Sequence, residues 1–172
     1  MATTIKKVVE AFRVLFSAIN DKEFGKTLHM HEWNEQELAP LVRTFLLGHF
    51  GEIIPEAKAK LPGTPSGYGR IDFVVKGVAV ELAVRRRSQS KAPLSASVNS
   101  NEVKKLLKFN GPAVLVLFDF SATPLTSQQL DGFRDWPSLG KGPHSKSPFN
   151  VAYFFRTADN VIDCIRKNIH VA

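Results

Sequence analysis

The segment 70–85 constrains the fold more than any other part of the chain. Arg70–Val75 and Val78–Arg85 are two runs of β-prone residues separated by Lys76-Gly77. A two-residue loop in which glycine supplies positive φ joins antiparallel neighbours. The simplest register follows from that loop: Val75 pairs with Val78, and Asp72 falls opposite Glu81. The period of two places Val78, Val80, Leu82 and Val84 on one face of the second strand and Ala79, Glu81, Ala83 and Arg85 on the other. Facing carboxylates on paired strands repel unless a cation or a proton relieves them. Mg²⁺ is a hard ion that takes oxygen ligands, often one or two protein carboxylates, so this pair suits a divalent ion.

The flanking elements predict an α/β domain. Residues 4–19 carry apolar side chains at helical spacing from Ile5 to Ile19, with Thr3 or Thr4 as the cap. A second helix is expected at 35–49, with Asn34 as N-cap and Glu37 completing a capping box. Glu52–Ala59 reads as a short strand whose proline favours an edge, and 62–69 as a loop. Residues 88–100 read as a second loop. The helix at 101–109 turns Val103, Leu106 and Leu107 inward and Lys104, Lys105 and Lys108 outward. Ala113–Phe118 is a nearly continuous apolar run, as a strand buried on both faces requires. A helix at 126–136, a loop at 137–148, a strand at 151–155 and a last helix at 158–169 complete the expectation. A chain of 172 residues with 44% apolar content and 13 Phe suits one domain.

Between 35 and 118 the order is helix, three strands, helix, strand. The stretch Gly69-Arg70-Ile71-Asp72-Phe73-Val74-Val75 followed by Val80-Glu81-Leu82-Ala83-Val84 resembles the Asp strand and Glu-x-Lys strand of the PD-(D/E)xK restriction-endonuclease-like superfamily. Ile54-Pro55-Glu56 is similar to that family's first strand. The likeness covers about half the chain. It implies a restriction-endonuclease-like αβββαβ core over about 34–120, inside a single domain spanning 1–172. An extra N-terminal helix and a C-terminal helix-strand-helix extension would be added to that core. The sequence departs from the motif at Ala83, where the family carries lysine. Arg85 lies one pleat further along the same face, but a guanidinium does not act as a base. Lys91 and Lys104 are alternative sources of the missing charge.

The resemblance implies a nuclease, or a nuclease-derived protein, using Mg²⁺ or Mn²⁺. Asp72 and Glu81 would hold the metal, with Glu56 as a further ligand and Glu35 as a third acid on the buried stripe of its helix. The expected catalytic group is Asp72, Glu81, Arg85 and Glu35. The formal charge of +7 favours a polyanion partner. Arg85, Arg86, Arg87, Lys91, Lys104 and Lys105 are the expected nucleic-acid contacts, with DNA first among substrates. Family habit adds a homodimer. Two rival readings are a catalytically inactive nucleic-acid-binding module, which Ala83 favours, and a protein-interaction domain using the N-terminal helix.

Other motifs are thin. His29-Met30-His31-Glu32 reads as polar loop, and the Gly63–Gly69 segment lacks the Lys-Ser/Thr of a phosphate-binding loop. Cys164 stands alone, which excludes an intramolecular disulfide and a cysteine zinc site. It is expected to lie in the last helix beside Ile165 and to pack inward. No apolar run reaches the ~20 residues of a membrane span. With no signal-peptide pattern either, a cytoplasmic location without membrane contact is expected.

Overall fold

A computed structural model describes residues 4–89, 94–135 and 146–170. Six strands form one mixed sheet in sequential order: β1 (Ile54–Lys60), β2 (Tyr68–Val75), β3 (Val78–Arg85), β4 (Ala113–Asp119), β5 (Phe149–Arg156) and β6 (Ile162–Ile169). β1, β2 and β3 are an antiparallel meander. β4 runs parallel to β3, β5 runs parallel to β4, and β6 returns antiparallel at the far edge. The protein is therefore α/β, and the helix-strand-strand-strand-helix-strand order read from 35 to 118 is present.

Two layers of helix cover the sheet. α1 (Ile5–Ile19) and α3 (Glu35–Phe50) pack on one face, against Phe73, Val80, Val116 and Phe154 among others. α4 (Ser100–Lys108) and α5 (Ser127–Asp131) cover the other, against Ala79, Ala83, Leu115 and Tyr153. The α1 stripe is thus buried within its own domain. Its Phe16 ring stands 4.9 Å from Phe118 and 5.9 Å from Phe154. Each such fully buried aromatic contributes about 1.5–3 kcal/mol. All seven residues of β4 are buried, as its unbroken apolar run requires.

Local chemistry sets the boundaries. Thr4 accepts from the Lys7 N–H at the start of α1. Asn34 and Glu37 form the reciprocal capping box of α3, and Gly51 ends that helix at φ +72. Lys76 and Gly77 both have positive φ, at +47 and +88, which fits a tight hairpin turn.

Some expectations fail. Residues 162–169 form a strand, not a helix, so the C-terminal extension is helix-strand-strand. Val161, Ile162, Ile165 and Ile169 fit helical spacing by coincidence. The run pairs along its whole length with β5, from Arg156↔Ile162 to Phe149↔Ile169, and that ladder overrides the spacing. The helix expected over 126–136 is one short α-helical piece followed by a 3₁₀ turn at Gly132–Arg134. α2 (Lys22–Leu28), which has no buried residue, had no counterpart in the sequence reading because it lacks an apolar stripe. The loop expected around 137–148 lies mostly outside the described residues. Among those described, no helix is long and apolar enough to cross a membrane.

Candidate active site

The β2–β3 ladder is short. Cα pairing covers Val75↔Val78, Val74↔Ala79 and Phe73↔Val80, and then stops, although both strands continue. Beyond that point two carboxyl groups replace the ladder. The Asp72 N–H donates to Glu81 Oε1 at 3.2 Å, and the Leu82 N–H donates to Asp72 Oδ2 at 2.9 Å. The expected meeting of Asp72 and Glu81 is therefore present, and each acid also satisfies a backbone donor of the opposite strand. Side-chain direction changes at the same place. Phe73 joins the core under α1 and α3, whereas Ile71 joins the core under α4. Across from Asp72 on β1, Glu56 has φ +48, in the left-handed region.

Glu81 has no exposed surface. It lies between Ala79 and Ala83 on the face that α4 covers, and the small alanines leave space above it. Lys105 of α4 fills that space. Its Nζ donates to Glu81 Oε2 at 2.9 Å and to Oε1 at 3.1 Å. Burial, then the charge of Asp72, push the Glu81 carboxyl up to about 8 against the pull of Lys105. Burial also raises Asp72, opposed by the Leu82 N–H and by Lys105. Burial pulls the Lys105 ammonium down, but Glu81 more than offsets it and leaves its pKa raised.

Glu35 reaches the same fork from α3. It is not on the buried stripe as expected, because the stripe passes through Leu38, Val42 and Leu46. Instead it borders the cleft, and its Oε1 accepts the Val84 N–H at 3.1 Å, another donor freed where β3 leaves β2. Its carboxyl is raised, first by desolvation, with Glu102 and Asp72 adding repulsion. Glu35, Glu56, Asp72 and Glu102 line a cleft of about 720 Å³ between α3 and the sheet, with Arg43 at its side. A second cleft of about 440 Å³ lies over α4 and is lined by Lys104, Lys105 and Lys108. Lys108, expected to point outward, is buried, since its stem packs along the helix flank.

Arg85 does not join the acids. It is 5% exposed and its guanidinium is spent elsewhere. Nε donates to Asp119 Oδ1 at 2.9 Å, and Nη2 donates to Asp119 Oδ2 and to the Thr123 carbonyl. Tyr153 donates its hydroxyl proton to the same Asp119 oxygen. Parallel pairing places Arg85 beside Asp119, so the buried acid at the end of β4 draws the cation inward. The catalytic and phosphate-contact roles expected of Arg85 are corrected accordingly. Arg86 is half-buried and Arg87 is exposed, both away from the acid pair on the strand end, while Lys91 lies outside the described residues. Glu56 is exposed and 3.9 Å from Arg70.

Among the described residues, no three His, Cys, Asp or Glu side chains converge as a metal-binding group. Both Glu81 oxygens are engaged by Lys105, which leaves Asp72 Oδ1 and Glu35 Oε2 without a hydrogen bond from a described residue. Two carboxylates are a sufficient protein contribution for magnesium, whose remaining ligands are water and phosphate. Glu35, Asp72 and Glu81 all lie near the Lys105 ammonium, and burial is the first cause that raises each of the three carboxyls.

Lys105 is the site residue whose role the sequence reading missed. The helical wheel turns it away from Val103, Leu106 and Leu107, so the sequence alone puts it among the outward nucleic-acid contacts. The available signal was Glu81 itself. An acid between two alanines, on a face covered by the next helix, needs a hydrogen-bonding or cationic partner, and that helix carries lysines. Comparison with protein-family models, with curated proteins and with solved structures finds no match to this chain.

Proposed function

We propose that the chain is a restriction-endonuclease-like protein that hydrolyses phosphodiester bonds in nucleic acid. Lys105 supplies the charge that Ala83 does not. The observation that carries this reading is the trio at the fork: Asp72 and Glu81 bridge two splayed strands, and an ammonium from α4 rests on Glu81. The order and directions of α3, β1, β2, β3, α4 and β4 support it.

Asp72 and Glu35 would hold Mg²⁺ or Mn²⁺ through their remaining oxygens. Such an ion stabilises negative charge on the phosphate and activates water for attack. Glu81 holds the Lys105 ammonium at the edge of the cleft. Lys105 then neutralises charge that develops on the phosphate and orients the incoming water.

The test is incubation of purified protein with single- and double-stranded DNA and with RNA, in Mg²⁺, Mn²⁺ or EDTA. Cleavage is expected with metal, and is expected to vanish in Asp72→Asn and Lys105→Met at unchanged far-UV circular dichroism. Equal cutting by wild type and both variants refutes the site. One observation favours the inactive, nucleic-acid-binding alternative: Lys105 occupies both oxygens of Glu81. Salt-dependent binding without cleavage would select it.

A further inference from the structure

The meander extends past the cover of α3. At its outer end Ala57 and Ala59 turn into the protein, so Lys58 and Lys60 turn out on the opposite face. Across the ladder, Lys58 pairs with Arg70 and Lys60 with Tyr68, and all four side chains are exposed. Gly69, between Tyr68 and Arg70, sits so close to Leu61 that an added Cβ would lie 2.5 Å from its Cδ1, which fastens the strip to the core beneath. Tyr68 is 48% exposed, and the Lys58 ammonium lies 4.9 Å from its ring centroid. The Arg70–Glu56 contact is long and solvated, which leaves the Arg70 charge largely available. The strip leads into the acidic cleft, where Glu56 and Asp72 stand, with exposed Arg43 at the side.

Resting on the reading above, we propose that this strip is the track for an unpaired nucleic-acid strand, so that the substrate class of the site is single-stranded or locally unpaired. Lys58 and Lys60 are two residues apart, about 7 Å along the strand. Successive phosphates of an extended single strand have a comparable spacing. The Tyr68 ring offers a stacking surface that a base reaches only when it is out of a duplex. Cations on both sides of the ring hold the backbone, and the strand continues into the cleft at Asp72. A duplex would use the cations and leave the ring idle.

The experiment is fluorescence anisotropy in EDTA, with short fluorescein-labelled oligo(dT) and a labelled hairpin duplex, at several salt concentrations. Wild type binds oligo(dT) more tightly than duplex. Tyr68→Ala weakens oligo(dT) binding roughly tenfold, whereas Tyr68→Phe keeps it. The pair Lys58→Ala and Lys60→Ala flattens the dependence of log K on log salt by roughly 1.4. Unchanged oligo(dT) affinity in Tyr68→Ala, a preference for duplex, or binding to anionic lipid vesicles in place of oligonucleotide overturns the proposal. Cleavage assays separate this from the catalytic reading. Duplex cutting that needs Asp72 and ignores Tyr68 overturns the track alone. Tyr68-dependent oligo(dT) binding without any cutting supports the track and overturns the hydrolase.

Discussion

Replacing Glu81 with glutamine is expected to make the protein more stable, and increasingly so as pH rises. The Glu81 carboxyl goes from 4.5 to about 8 on folding, because it is buried and faces Asp72. An acid whose folded pKa is raised binds its proton more tightly in the native state. Below pH 4.5 it costs nothing, between pH 4.5 and 8 stability falls as pH rises, and above pH 8 the penalty is complete. At about 1.4 kcal/mol per pH unit, the ceiling is ~5 kcal/mol above pH 8 and ~3 kcal/mol at pH 7. Glutamine keeps an oxygen for the Asp72 N–H but removes the counter-charge of Lys105. The attraction of Lys105 is already contained in the value of about 8. The gain is therefore up to ~3 kcal/mol at pH 7, or a Tm rise of roughly 6–12 °C for a chain of this size, and it is larger at pH 8. Thermal melts in EDTA from pH 5 to pH 9 measure it. A variant that melts below wild type at pH 8, or a difference that does not grow with pH, refutes the reasoning.

Three further outcomes follow from the described geometry. Tyr153→Phe leaves Asp119 without one donor and the Leu125 N–H without its acceptor, and is expected to cost about 1–3 kcal/mol in urea denaturation. Asn34→Ala removes the α3 capping box and is expected to cost about 1 kcal/mol by the same measurement, with the denaturant slope unchanged. Burial, then Asp163, push the Cys164 thiol up to about 11, so iodoacetamide at pH 8 is expected to label the native protein at least about tenfold more slowly than the urea-unfolded chain, read by mass spectrometry.

The hairpin was legible because its register is local. A two-residue turn and a period of two place Asp72 against Glu81 with no knowledge of the rest of the molecule. The apolar run of β4 and the stripes of α1 and α3 were legible for the same reason. Arg85 was misread because its fate depends on Asp119, 34 positions along the chain and adjacent only once β3 and β4 lie parallel. The hold of Lys105 on Glu81 was not legible because a long side chain escapes the face that the helical wheel assigns to its Cα. β6 was misread because four β-branched residues satisfied a helical period while β5 offered them a partner.

The fork carries a warning for mutagenesis. Asp72 and Glu81 each accept a main-chain N–H where strand pairing has ended, so both side chains double as rungs between β2 and β3. An alanine at either place would delete a rung along with a charge, and a dead variant of that kind would report an unzipped hairpin as readily as lost chemistry. Asparagine and glutamine retain an acceptor oxygen for the rung. Amide exchange at Asp72 and Leu82 then tells whether the strands stay joined, independently of any turnover.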